Sequence, residues 1–276
     1  MFFIKSKEKQ LKMIWEVQKN DKKSYLIGTA HYFPYSFRSS LLRLIKNAGT
    51  VIFEGPLDQE NMAKVQAAGK TGQNNAPLFE ELDQQTIADI SQALYPGCRR
   101  RNPYFLYNFR TCEVENPAYE MIRGMKFWLA FFTIWFYFLE KNGWKYSVDL
   151  EAYKLARELG KKIVFLETID EQIEVLESLS RERIINFLKQ VNHWSSYVKN
   201  YVKTYLAGDL ENLKFIARGF PNRTPAVIDR RDQIFYERMV AYLEDGGVVA
   251  CVGAPHIRGI SELLLSDGYQ IRMSSK

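Results

Sequence analysis

Short apolar runs alternate with amphipathic segments along most of the chain. The apolar runs have the length and spacing of buried strands. We expect strands at residues 11–17, 24–28, 50–53, 161–166, 247–252 and 269–273. Helical spacing predicts helices at residues 36–46, 58–68, 81–94, 117–142, 148–159 and 257–265, and several more between 170 and 243, with breaks near Gly208 and at 219–225.

Strands that alternate with helices predict an α/β fold with a largely parallel central sheet flanked by many helices. With 276 residues, of which 46% are hydrophobic, the chain is long enough for one large domain. We expect residues 1–276 to form a single domain of two related α/β halves, each contributing a strand followed by Gly-x-x-His. A helical insertion is expected at about 80–145, and the helices at about 170–243 complete the domain.

Two Gly-x-x-His motifs stand directly after predicted strands. His31 ends the motif in YLIGTAH, and His256 ends the motif in VVACVGAPH, so two of the three histidines share one context. A glycine at a strand end allows the backbone to turn sharply, and the histidine can then point back over the strand. Glu54 and Glu167 also follow predicted strands, in VIFE and IVFLE. Because active sites of such sheets lie at the carboxyl ends of the strands, we expect these four residues to form the functional centre.

Two imidazoles and one carboxylate can hold a divalent metal ion with a position left for water or substrate. We assign His31, His256 and Glu54 as metal ligands, and Glu167 as a nearby carboxylate that acts as general base or orients a ligand histidine. The structural alternative is that each histidine caps a helix or satisfies a buried polar group. Glu54 would then be a turn residue, and Glu167 a charge at a helix N-terminus. The third histidine, His193, lies in a helical segment without the motif, and we interpret it as structural.

The apolar run that begins at Phe127 and ends at Leu139 is apolar all round a helix. Thirteen residues are too few to span a bilayer, which takes about 20. We favour a buried core helix. The alternatives are a homodimer interface, a membrane-surface contact or the apolar wall of a substrate groove.

The amino-acid composition limits the classes of protein to which the chain can belong. The formal net charge of +6 is modest, and the basic residues are dispersed apart from Arg99, Arg100 and Arg101, so we expect no nucleic-acid partner. Three cysteines without a Cys-x-x-Cys pair argue against a disulfide framework. The N-terminal segment lacks a signal peptide's apolar run, and we expect a cytoplasmic protein. Motifs of dinucleotide-binding proteins, P-loop proteins, HExxH peptidases and α/β-hydrolases are absent from the sequence.

The sequence resembles the TraB/PrgY/GumN family. The segments that carry the resemblance occur in the family's order: YLIGTAHYFP, VIFEGPLD, SVDLEAYKLARELGKKIVFLETIDEQ, RRDQIFYERM and VVACVGAPHIRG. It runs from about Trp15 to Met273 and is weak over residues 69–145. The wider group includes the TIKI metalloproteases and, more distantly, the erythromycin esterases and the haem-binding ChaN proteins. The resemblance therefore implies an erythromycin esterase/ChaN-like fold.

The same resemblance implies a function. In the TIKI branch the motif histidines and a glutamate are thought to bind a divalent ion, with manganese or cobalt supporting peptide cleavage. These roles carry over to His31, Glu54 and His256, and zinc is an alternative ion. Arg231 matches the family's Arg-Asn/Asp position and could hold a substrate carboxylate or an oxyanion. Asp149, in SVDLE, matches a position that supports the site.

Two departures from the family pattern affect the site. Gly55 and Pro56 follow Glu54 where many relatives have Leu-Asp, and Pro255 restricts the backbone just before His256. We therefore expect a metal-dependent peptidase or hydrolase with a peptide substrate. Two alternatives stay open: a protein that binds a peptide or a hydrophobic ligand without turnover, and a metal-independent hydrolase that uses a histidine beside the glutamates.

Overall fold

A six-stranded sheet forms the centre of the molecule. The computed structural model describes residues 8–96 and 117–274. In these ranges the strands are β1 (Ile14–Lys19), β2 (Lys22–Thr29), β3 (Thr50–Phe53), β4 (Lys162–Phe165), β5 (Val248–Gly253) and β6 (Gln270–Met273). Residues 97–116 of the predicted helical insertion, which include Arg99, Arg100 and Arg101, lie outside the described residues.

The strand order is β4-β3-β5-β2-β1-β6. The four strands from β4 to β2 are parallel to one another, whereas β1 pairs antiparallel with both β2 and β6. Strands β1 and β2 form a hairpin, whose turn places Asn20 and Asp21 at positive φ. The prediction of an α/β fold with a mostly parallel sheet is confirmed. The relation between two halves and the erythromycin esterase/ChaN-like fold stay predictions.

Thirteen α-helices surround the sheet in the described part of the chain. They are α1 (Arg38–Lys46), α2 (Gln59–Ala68), α3 (Pro77–Glu80), α4 (Gln84–Leu94), α5 (Pro117–Ile122), α6 (Phe127–Lys141), α7 (Val148–Glu158), α8 (Ile169–Glu177), α9 (Arg181–Leu188), α10 (Trp194–Ala207), α11 (Leu210–Ala217), α12 (Pro225–Asp245) and α13 (Ile257–Ser266). Single 3-10 turns, Val191–His193 and Ala254–His256, precede α10 and α13. Side chains of Asp58, Asp83, Ser147, Thr168, Ser180, Asp209 and Thr224 cap seven of the helices.

One predicted helix is two. The segment 117–142 breaks between α5 and α6, where Gly124 has a φ of +73°. Its backbone N–H donates to the carbonyl oxygen of Asn75, and the N–H of Thr71 donates to the carbonyl oxygen of Gly124. Tertiary hydrogen bonds therefore replace the helical ones at this point, and the apolar pattern on either side does not reveal the break.

The apolar run 127–139 belongs to the core, as predicted. None of its residues is exposed, and Phe131, Trp135 and Phe138 pack edge-on or tilted against the rings of Phe187 and Trp194 from neighbouring helices. The helix needs no second copy and no membrane to cover it. Within the described ranges, no helix is long and apolar enough to span a membrane.

Candidate functional site

Two glutamates meet at the carboxyl edge of the parallel strands. Glu54 directly follows β3, and Glu167 lies two residues beyond the end of β4. The backbone N–H of Glu167 donates to the carbonyl oxygen of Glu54 at 2.7 Å, which continues the parallel pairing past the strand ends. Both side chains are buried, at 10% and 4% exposure.

Arg231, from the second turn of α12, binds both carboxylates. Its Nε and Nη2 atoms donate to the two oxygens of Glu167 at 3.1 and 2.6 Å, and Nη2 also donates to Oε2 of Glu54 at 2.9 Å. Two buried carboxylates therefore share one guanidinium. The two-pronged contact with Glu167 uses the fork geometry that lysine lacks.

His256 lies next to this ion cluster and is almost completely buried. Its Nδ1 atom is 2.6 Å from Oδ1 of Asp232, the residue that follows Arg231 on α12. Since a carboxylate accepts, Nδ1 carries the proton, and Nε2 is free to accept from Nη1 of Arg231 at 3.3 Å. Oε1 of Glu54 is 3.9 Å from the same Nε2 atom. One helix thus supplies both partners of the histidine.

The glycines of the two motifs are needed for their lack of a side chain. Neither Gly28 nor Gly253 has a positive φ, so their role is not to adopt the left-handed backbone conformation. A Cβ atom on Gly28 would lie 3.2 Å from Cα of Ala254, and one on Gly253 would lie 3.0 Å from Oε1 of Glu54. The N–H of Gly253 donates to that oxygen at 2.6 Å. Glycine lets the two motifs and Glu54 approach each other closely.

His31 follows the neighbouring strand β2, and its arrangement parallels that of His256. Its Nδ1 atom lies 3.0 Å from Oδ2 of Asp149, a buried residue in the first turn of α7. Unlike His256, its side chain is 65% exposed. The hydroxyl of buried Tyr205 donates to the carbonyl oxygen of Gly28 at 2.6 Å and fixes the end of β2 against α10.

Burial and neighbouring charges shift the pKa values of Glu54, Glu167 and His31 in different directions. Burial alone would raise the pKa of Glu54, but the positive charge of Arg231, together with its other neighbours, outweighs burial and lowers this pKa to about 2. Burial raises the pKa of Glu167, with the charge of Glu54 adding to the rise and Arg231 opposing it. The Asp149 carboxylate raises the pKa of His31 to about 9. Glu54 is therefore the more acidic of the two glutamates, and His31 is protonated at neutral pH.

The donor chemistry suits a divalent ion. Both histidines direct Nδ1 at a buried aspartate, an arrangement common to metal-ligating histidines, which leaves Nε2 as the ligand atom. On His31 an ion would have to displace the proton that Nε2 carries at neutral pH. Glu54 supplies an ionised carboxylate. In this conformation Arg231 contacts both Glu54 and His256, and within the described residues no three His, Cys, Asp or Glu side chains converge closely enough to hold an ion. An ion would therefore replace Arg231 at Nε2 of His256.

A second arginine, Arg223, lies at the site and was missed by sequence reasoning. It stands between α11 and α12, close enough to Glu54 and Arg231 for their charges to act on its pKa, which burial lowers. The segment that carries it has no periodic pattern. Its position depends instead on Arg183 of α9, whose guanidinium donates to the carbonyl oxygen of Arg223 at 3.3 Å.

Two depressions flank the cluster. A cavity of about 240 Å³ has Asp232, Pro255 and Arg223 in its wall. A more open depression of about 550 Å³ is lined by His31, Trp144 and other residues around the start of α7. Concave surface thus lies next to Asp232 and next to His31.

Fold and site together define an α/β protein with a buried histidine, glutamate and arginine cluster at the carboxyl edge of a mostly parallel sheet. The model of the TraB/PrgY/gumN family matches residues 13–273. The chain therefore belongs to the TraB/PrgY/gumN family, and the resemblance seen in the sequence is confirmed. No curated protein and no solved structure matches the chain.

Proposed function

We propose that this chain is a hydrolase that cleaves peptide or related acyl bonds with a divalent metal ion. The Nε2 atoms of His31 and His256 and a carboxylate oxygen of Glu54 would hold the ion. The observation that carries the proposal is the matched geometry of the two histidines. Each follows one of two neighbouring parallel strands and directs Nδ1 at a buried aspartate, Asp149 or Asp232.

When bound, a divalent ion acidifies a water molecule and polarises a carbonyl group. The raised pKa of Glu167 suits a group that takes a proton and returns it, whereas Glu54 stays ionised. Arg231, once an ion has replaced it at His256, would supply a positive charge for a developing oxyanion. The family resemblance favours manganese or cobalt, and zinc accepts the same nitrogen and oxygen donors.

One observation favours a second candidate, a hydrolase without a metal ion. Arg231 already provides a cation in contact with Glu54 and with Nε2 of His256. In that case His256, oriented by Asp232, would act as the general base, and Arg231 would stabilise the oxyanion.

A peptide-library digestion separates these functions. The protein is loaded with Mn²⁺ or treated with EDTA and incubated with N-acetylated peptides, and cleavage is followed by mass spectrometry. We expect cleavage by the Mn²⁺ form, loss of cleavage in EDTA, and loss in Glu54→Gln but not in Glu60→Gln, an exposed control on α2. Cleavage that resists EDTA favours the metal-independent hydrolase. Peptide binding without any cleavage contradicts both and favours a sequestering protein.

A further inference from the structure

The cavity beside Asp232 combines an apolar wall with cations. Leu213, Ala217, Ile228 and Ala254 supply apolar surface, and Arg223 is part of the wall. Its volume of about 240 Å³ is below the range of about 300–1,000 Å³ that is typical for drug-sized ligands. It therefore suits one residue or a small acid better than a large ligand.

Three cations in this wall, Lys214, Arg218 and Arg223, have no carboxylate partner among the described residues, and Arg223 is the one that is not exposed. By contrast, Arg258 pairs with Glu211 and Glu262. For Arg223 the described chain offers no carboxylate within 4 Å, and its solvent-shielded Nε atom has no hydrogen-bond partner. A half-buried guanidinium whose shielded Nε has no partner loses hydration without compensation, and a bound anion would supply the missing hydrogen bond.

The backbone at Arg223 is held in place. The guanidinium of Arg183 donates to four carbonyl oxygens of the segment between α11 and α12, those of Arg218, Phe220, Pro221 and Arg223, at 2.8, 3.0, 3.4 and 3.3 Å. The carbonyl oxygen of Phe220 also accepts from the backbone N–H of Arg223 at 3.0 Å. Arg223 is therefore presented from a fixed segment.

The surroundings favour a singly charged, planar anion. Asp229, Asp232 and Glu262 also line the cavity, and their negative charges oppose binding of a dianion such as phosphate. A carboxylate matches the fork of a guanidinium with two parallel hydrogen bonds. The apolar wall then covers the carbon atoms attached to that carboxylate.

We propose that this cavity binds a carboxylate of the substrate through Arg223, and that the free C-terminal carboxylate of a peptide is its source. The inference rests on the hydrolase function proposed above. Since Asp232 joins the cavity to His256, a peptide anchored there has its last peptide bond near the cluster. An Asp or Glu side chain offers the same chemistry, and the experiment separates the two sources.

The test measures binding by calorimetry in Mn²⁺ and in EDTA. The probes are acetyl-Ala-Ala-Leu as free acid and as amide, and acetyl-Ala-Glu-Ala-amide beside its Gln analogue. Wild type is compared with Arg223→Gln and with Lys214→Gln, which removes the same charge from an exposed position of the same cavity. If Arg223→Gln does not fold, Arg223→Lys is used in its place, because lysine keeps the positive charge but cannot make the two parallel hydrogen bonds of a guanidinium.

We expect wild type and Lys214→Gln to bind the free acid about tenfold or more tightly than the amide. In Arg223→Gln the ratio should approach one, and in Arg223→Lys it should be intermediate. A preference for the Glu peptide over its Gln analogue, without a preference for the free acid, assigns the cavity to a side-chain carboxylate and overturns the chain-end source. Equal binding of acid and amide by wild type, or binding of neither, overturns the inference.

Failure of the hydrolase proposal has a different signature. If wild type binds the free acid more tightly than the amide, Arg223→Gln does not, and no peptide is cleaved, the carboxylate site is supported and the hydrolase function is contradicted. If peptides with a free C-terminal carboxylate and peptides with a C-terminal amide are cleaved equally well, the hydrolase function is supported and the carboxylate site is contradicted.

Discussion

The carboxylate of Asp232 reaches the imidazole of His256 because Gly259, on α13, has no side chain to occupy that space. Gly259, in α13, faces Asp232 so closely that an added Cβ would lie 2.8 Å from Cγ of the aspartate and closer still to Oδ2. The Nδ1 atom of His256 is 2.6 Å from Oδ1 of the same side chain. The position of the histidine therefore depends on the absence of a side chain at residue 259.

Gly259→Ala should destabilise the protein, although alanine favours a helix interior over glycine by about 1 kcal/mol. The added methyl group must displace buried Asp232, and overpacking of this kind costs about 1–3 kcal/mol. The free energy of unfolding in urea measures the effect. Gly49→Ala is the control, because a Cβ there meets no atom within 4 Å. Unchanged stability of Gly259→Ala would show that Asp232 can move without cost.

Removal of Arg231 should be more severe. Arg231→Ala leaves Glu54 and Glu167 buried without their common cation, and breaking a buried ion cluster in this way costs about 3–5 kcal/mol. The exposed neighbour Arg230 provides the control, and Arg230→Ala should stay within about 0.5 kcal/mol of wild type. Similar unfolding free energies for the two variants would contradict the shared-cation arrangement.

Arg231→Ala combined with Glu167→Gln should recover part of that loss. The double variant removes one negative charge together with the positive one, so fewer uncompensated charges stay buried. Simple additivity of the two single effects would mean that the residues do not interact.

The two aspartates that hold the histidines should support metal binding without being ligands. Asp232→Asn and Asp149→Asn keep the side-chain shape but lose the charge that orients and polarises each imidazole. We expect Mn²⁺ affinity to fall by about 10- to 100-fold in each. Asp229→Asn, an exposed change on α12, should leave the affinity unaltered. Wild-type affinity in both site variants would show that these aspartates have only a structural role.

An ion pair near the site predicts how stability changes with pH. Hydrogen bonds from Arg238 and from the N–H of Thr168 hold the pKa of Glu171 at about 2, below its ordinary value of 4.5. The folded state thus binds the Glu171 proton more weakly than the unfolded state. The contribution of ionised Glu171 to the free energy of unfolding is fully present above about pH 4.5 and is lost as the pH falls towards about 2.

Glu171→Gln reports that contribution directly. Its unfolding free energy should be lower than that of wild type at pH 7, and the difference should shrink steadily between pH 4.5 and 2. A difference that does not change with pH would show that the amide replaces the carboxylate contacts.

Much of the fold could be read from the sequence, because buried strands and capped amphipathic helices leave periodic patterns. The strand-end positions of Glu54, Glu167 and His256 follow from those patterns and from the direction of parallel strands. Arg231 came from the family resemblance alone. The sequence gives no sign that Arg231 binds both glutamates, since α12 joins the site only through tertiary packing.

Other features of the structure could not be predicted from the local sequence pattern. The break at Gly124 depends on hydrogen bonds to a distant loop, and the position of Arg223 depends on Arg183, a residue of another helix. The contact of His31 with Asp149 likewise joins residues 118 positions apart in the sequence. Spacing along the chain does not encode these contacts.

The most direct measurement is a titration of metal-free protein with Mn²⁺, with the free ion followed by EPR. It compares wild type with His31→Ala/His256→Ala and with His193→Ala, which removes the third, exposed histidine. Circular dichroism confirms that each variant is folded. We predict about one site per chain in wild type and in His193→Ala, and none in the double variant. Absence of binding by folded wild type, or equal binding by the double variant, would contradict a metal centre built on His31 and His256.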